Sequence, residues 1–154
     1  MSETARIADE LGRAFYGEAW HGDSLMEILR GITATQVSSR PLKNAHSIWE
    51  LVLHISAWDS AVQRRMVGLT VNLSDAENFP PVPDTSDAAW QKALEQVRRV
   101  HDELIAAVEK FPEASLGEQV PGKVGAHYNF AYMLHGLTQH AVYHAGQIAL
   151  LKKM

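Results

Sequence analysis

Apolar residues recur at helical spacing along four long stretches of this chain, and the turns between them carry the usual breakers. Near the start, Ile7, Leu11, Ala14, Phe15 and Glu18 follow a three-and-four step, which predicts a helix over residues 3–18. Trp20-His21-Gly22-Asp23-Ser24 interrupts it, and Asp23 or Ser24 can cap a short helix running to about Arg30, with Leu25, Ile28 and Leu29 inward. Residues 31–44 read as a connection with one helical turn around Ala34–Ser38. The second long helix begins at Ser47, where Ser47-Ile-Trp-Glu50 fits a capping box, and runs to about Val67 before Gly68. Its inward positions are Leu51, His54 with Ile55, Trp58, Val62 and Met66. Residues 69–84, with Phe79-Pro-Pro-Val-Pro83, form a proline-stiffened crossover with no helical pattern. A third helix over 86–110 carries Trp90, Leu94, Val97, His101, Leu104 and Val108, and ends at Phe111-Pro112. A loop with Gly117, Gly122 and Gly125 leads to a fourth over 126–153.

Period-two alternation is absent, so the expected fold is all-α: a four-helix bundle with long crossover connections, formed by residues 1–154 as a single domain. The chain is long enough to bury a core without staples. Hydrophobic residues make up 46% and charged residues 21%, an ordinary balance for a globular protein. The absence of cysteine excludes disulfides, a thiolate zinc site and a cysteine nucleophile. A net charge of −4 argues against a nucleic-acid partner, which would require a basic face. With no long apolar run and no signal-like N-terminus, no membrane association is expected and the location is expected to be cytoplasmic.

Eight histidines point to metal chemistry. The seam of the fourth helix reads Phe130, Met133, Leu137, His140, His144, Ile148, Leu151, which puts two imidazoles on its apolar face, one turn apart. A buried ring nitrogen without a partner costs about 1–3 kcal/mol. Several together would consume much of a total stability of roughly 5–15 kcal/mol. A shared cation removes that cost, and bundles commonly build such sites from facing helices. The third ligand must come from another helix, and both His54 and His101 sit at core-facing phases. His54 is preferred on depth, because antiparallel packing of the second and fourth helices would bring it level with the pair. His101 then reads as a core or rim histidine.

Asn44-Ala-His-Ser-Ile-Trp-Glu-Leu-Val-Leu-His54-Ile-Ser-Ala-Trp58 together with Gln139-His140-Ala-Val-Tyr-His144-Ala-Gly-Gln147-Ile resembles the DinB/YfiT-like superfamily of metal-dependent helical proteins. The likeness extends over nearly the whole chain, and the His-x-x-Tyr-His-x-Gly-Gln-Ile run is its most specific part. It implies a four-helix bundle, a homodimer, and a divalent metal, zinc or nickel, held by His54, His140 and His144. Characterised members of that superfamily include thiol-dependent S-transferases and a mycothiol-dependent isomerase.

All-nitrogen ligation suits zinc, nickel, iron or copper and fits magnesium or calcium poorly. Gln147, one turn beyond His144, is a candidate to bond a ligand or a bound water. Glu50, one turn before His54, is either an orienting group for that ring or only the capping partner of Ser47. Tyr143 flanks the pair. His46 reads as a turn residue, and His21, His127 and His135 as surface or interface positions. Trp20, Trp49, Trp58 and Trp90 read as packing residues, with Trp58 placed to wall a pocket. The pair lacks the glutamate of His-Glu-x-x-His, so no general base is built into the helix. The expected function is that of a metal-dependent enzyme acting on a small molecule, with an external low-molecular-weight thiol as the partner a cysteine-free chain would need. The alternatives are a metal-dependent hydrolase and a non-catalytic, metal-stabilised binding or stress-response dimer.

Overall fold

The computed structural model describes residues 1–154, and they form an all-helical protein. Four long helices, α1 (Glu3–Tyr16), α4 (Ile48–Met66), α6 (Asp87–Glu109) and α7 (Phe130–Leu151), make the bundle. Short helices α2 (Leu25–Leu29), α3 (Ala34–Ser38) and α5 (Asp75–Asn78), with a 3-10 turn at Glu113–Gly117, lie in the connections. Each of α6 and α7 packs on both α1 and α4, so α1 faces α4 across one diagonal and α6 faces α7 across the other. A connection between diagonal helices has to cross the end of the bundle. This accounts for the long links before α4 and before α7. No helix is long and apolar enough to cross a membrane.

Local chemistry sets the helix starts. Ser47 Oγ accepts from Glu50 N at 3.2 Å while Glu50 accepts from Ser47 N at 2.7 Å, the reciprocal pair that the sequence predicts for α4. Ser24 and Glu27 cap α2 in the same way. Several boundaries differ from expectation. The fourth helix starts at Phe130, not near residue 126, because Tyr128 O accepts from Val120 N and Phe130 N donates to Glu118 O. Those bonds form a Gln119–Asn129 antiparallel bridge that keeps residues 128–129 extended, and Asn129 Oδ1 then caps the helix on Tyr132 N. The first helix stops at Tyr16: Gly17 closes it and Glu18 is left-handed at φ 61°, so Glu18 is exposed and not inward. That turn also throws Trp20 fully into solvent, contrary to its expected packing role. The crossover at 69–84 contains a helical turn after all, α5, closed by a Ser74–Glu77 capping box.

Buried apolar residues fall into two clusters along the bundle axis. One joins α2 and α3 to Trp49, Val52 and Ile55 of α4, Trp90 to Val97 of α6, and Ala145 to Leu151 of α7. The other joins Ile7 and Leu11 of α1 to Val62, Leu104, Val108 and residues Phe130 to Leu137. Between them α4 presents His54 and Asp59, α6 presents His101, and α7 presents His140 and His144. The core therefore has a polar waist at mid-height.

Candidate metal centre

His54 leaves α4 and meets His140 and His144 on α7, where one ligating ring atom from each lies within 4.8 Å of the others. His54 Nε2 and His140 Nε2 are 3.0 Å apart. Two imidazoles held about 2.05 Å from one tetrahedral ion stand about 3.3 Å apart at nitrogen, so this pair is at ligand spacing. Two helices therefore bring the three rings together. Along α4 the order His54, Trp58, Val62, Arg65 runs against His140, Leu137, Met133 on α7, which is the antiparallel arrangement the depth argument needed.

Hydrogen bonds orient two of the rings. His54 Nδ1–H donates to the carbonyl of Asn78 at 2.7 Å, and His144 Nδ1–H donates to Gln147 Oε1 at 2.7 Å. Each bond fixes a tautomer in which Nε2 keeps its lone pair, the orientation that outer partners of metal-bound histidines impose. Asn78 is the last residue of α5, and its side-chain Oδ1 also accepts from the Trp58 indole at 2.8 Å. The next residue, Phe79, stacks on the His54 ring at 4.1 Å between centroids and on His46 at 3.7 Å from its other face. The crossover thus holds His54 by one hydrogen bond and one stack. Neither Asn78 nor Phe79 stood out in the sequence, although Ser74-Asp-Ala-Glu77 carries the capping signature that would have located α5.

Burial holds all three imidazoles neutral. Desolvation is the largest cause of the lowered pKa at each. At His140 the neighbouring His144 and His54 add to it and bring the value to about 3. Neutral imidazole is the ligating form. No carboxylate joins the cluster, so the donor set is three nitrogens, which suits a divalent cation of the zinc or nickel kind. His140 and Trp58 also line a cavity of about 430 Å³ between α4 and α7. The residues present therefore fit a metal, with its remaining coordination side left to something other than this chain.

The other candidates fall as follows. Gln147 bonds the His144 ring directly. Glu50 is engaged by Arg40 and by its own helix cap. Burial alone would raise its pKa, but the Ser47 N–H and Arg40 outweigh that and hold it below the usual carboxylate range. Tyr143 is exposed, with its ring 5.1 Å from that of His144. His101 is a core residue and takes no part in the cluster: Asp59 Oδ2 lies 2.8 Å from its Nδ1, and its Nε2 donates to Leu11 O at 3.2 Å. Its ring stacks on Phe15 at 3.9 Å. His21 and His127 are exposed, and His135 pairs with Glu3 and Glu10. His46, although exposed, reaches the site through Phe79.

Comparison with curated proteins and with solved structures returns no significant match. A family model described as the DinB superfamily does match, over residues 19–148, a span that takes in α2 to α6 and α7 through Ile148, with all three clustered histidines. With most of the chain under that match and the helical bundle in place, this protein belongs to the DinB superfamily.

Proposed function

We propose that this protein is a metal-dependent enzyme in which His54, His140 and His144 hold one divalent cation, zinc or nickel, with iron also compatible. The reaction we assign is transfer of a low-molecular-weight thiol to a small electrophilic substrate, or a thiol-assisted isomerisation. The observation that carries this reading is the convergence of three neutral imidazoles at the edge of a cavity, with no fourth ligand from the chain. When bound, a divalent cation there would supply Lewis acidity that favours the ionised form of a thiol or water. Asn78 and Gln147 fix the two rings they bond, and Phe79 closes one face of His54. Trp58 walls the cavity side and keeps that approach apolar.

Thiol transfer is favoured over hydrolysis by what is missing around the cluster. Glu50, the acidic residue one turn from His54, is spent on Ser47 and Arg40, so no carboxylate stands ready to take a proton from water. A thiol ionises at about pH 8.5 when free and lower beside a cation, so it needs no such base. The test uses untagged protein, elemental analysis, and 1-chloro-2,4-dinitrobenzene with a small thiol. The thiol sulfur bonds the ring carbon, chloride leaves, and the thiol proton goes to solvent. We expect about one equivalent of metal per chain, and conjugation above the uncatalysed rate only when metal is present. His54→Ala and His144→Ala should lose both. Metal-independent conjugation by the protein would overturn the assignment.

A further inference from the structure

The cavity beside His140 contains a feature that the metal does not explain. Its wall includes Trp58, Val62, Met133 and Leu137, and also Arg65, which is 1% exposed. Arg65 Nε and Nη2 both donate to Val71 O, at 3.2 and 2.7 Å, while Nη1 is buried with no hydrogen-bond partner. No aspartate or glutamate pairs with this guanidinium. The acidic contacts to the cavity wall are those of Glu3 and Glu10 with His135. A buried cation without a counter-charge is costly, and one of its donors left idle adds to the cost. The guanidinium carbon lies 5.2 Å from the Trp58 ring, and that ring is 6.2 Å from His140. One indole therefore separates the unpaired charge from the histidine cluster. A second cation sits nearby: Lys123 Nζ lies 5.6 Å over the wall residue Tyr128 and contacts Asn72, next to Val71. Lys123 is pulled below the usual lysine range by burial first and by Arg65 second. Arg65 on the wall with Lys123 behind Tyr128, an apolar middle, and His140 on the wall beyond Trp58 describe a pocket for an amphipathic anion.

We propose that this cavity takes the substrate of the metal centre and that the substrate is a small carboxylic acid with an apolar body, its carboxylate paired with Arg65. The substrate class rests on the metal-centre reading, whereas anion binding by Arg65 stands apart from it. The Trp58 face packs against the apolar body, and the end remote from the carboxylate lies against His140. Arg is suited to this role because its planar fork matches a carboxylate.

The test is a binding titration of 3-phenylpropanoate against its neutral isostere 3-phenylpropanamide, on metal-loaded and on chelator-treated protein at pH 7.5. The acid should bind at least about tenfold tighter than the amide in both forms, as expected for a charge-assisted hydrogen bond. Arg65→Met should remove that preference while the metal content per chain stays unchanged. A second variant guards against misfolding. Gly136 lies on the cavity wall in α7, and a Cβ there meets nothing within 4 Å, so Gly136→Leu fills the pocket and should abolish binding of both probes. Equal binding of acid and amide to the native protein would overturn the proposal. So would a preference that survives in Arg65→Met, or acid binding that requires the metal, or undiminished binding in Gly136→Leu. Protein that carries no metal yet prefers the acid would instead sink the enzyme reading and leave the anion pocket standing.

Discussion

Replacing Gln147 by methionine removes one hydrogen-bond acceptor and little volume, which isolates its effect on the ring of His144. The 2.7 Å bond from His144 Nδ1–H to Gln147 Oε1 sets which nitrogen of that ring is free to ligate. Losing such an outer partner costs about 10–100-fold in metal affinity. At free metal one hundred times the native dissociation constant, binding stabilises the native fold by about 2.7 kcal/mol. In the variant at the same free metal, that falls to about 1.4 or about 0.4 kcal/mol. For a chain of this length each kcal/mol moves the melting temperature by roughly 2–4 °C. The metal-dependent rise should therefore shrink from roughly 5–11 °C to roughly 1–6 °C. Thermal unfolding in a zinc buffer, with the metal-free variant as its own baseline, measures it. Gln147→Glu should restore the rise or enlarge it, because a carboxylate accepts from the ring more strongly. An undiminished rise in Gln147→Met would refute the claim that this residue orients His144.

Three further outcomes follow from the same geometry. In the metal-free protein, lowered imidazole pKa values mean that the unfolded chain binds more protons than the native one. Stability is therefore full above about pH 6.5 and is lost as the pH falls below it, with His140, whose value is about 3, carrying the loss to the lowest pH. Urea titrations at pH 7.5 and 5.0 should show this loss, and His140→Leu should flatten it; parallel losses in the two proteins would contradict the assignment. Asp59→Ala leaves His101 buried without its partner and should cost roughly 3–5 kcal/mol in urea unfolding. The Asp59→Ala/His101→Leu double variant should lose less than the sum of the Asp59→Ala and His101→Leu losses, and strict additivity of those two would argue against a coupled pair. Gly122 is left-handed at φ 74°, and a Cβ there would stand 2.4 Å from the Thr70 methyl. Gly122→Ala should therefore lower stability by about 1–3 kcal/mol, and a neutral result in the same assay would remove this turn from the strained positions.

The seam of α7 was legible because a helix repeats its face every three or four residues. His140 and His144 announced their phase together with Met133, Leu137 and Ile148. His54 was legible for the same reason, and the Ser47–Glu50 cap fixed the start of its helix. What periodicity cannot display is a contact made by an irregular segment. Asn78 and Phe79 orient His54 from a crossover whose position depends on tertiary packing alone. Asp59 and Arg65 were hidden by their residue type: charged groups usually face water, and their burial follows from His101 and from Val71 O, neither close in sequence to both. Trp20 misled in the opposite sense, as a large aromatic placed outside by a backbone turn at Glu18.

Helix α4 serves two masters across its width. His54 points to α7 and Asp59 to α6, five residues on and about 140° around the axis. The histidine cluster and the bundle's second polar lock are thus drawn from separate flanks of one rod. Drift in His101 on α6, the partner of Asp59, and in the α1 residues around it can adjust how firmly the scaffold holds without disturbing the clustered imidazoles. Conversely, the walls between α4 and α7 can be re-cut while that lock keeps the rod in place.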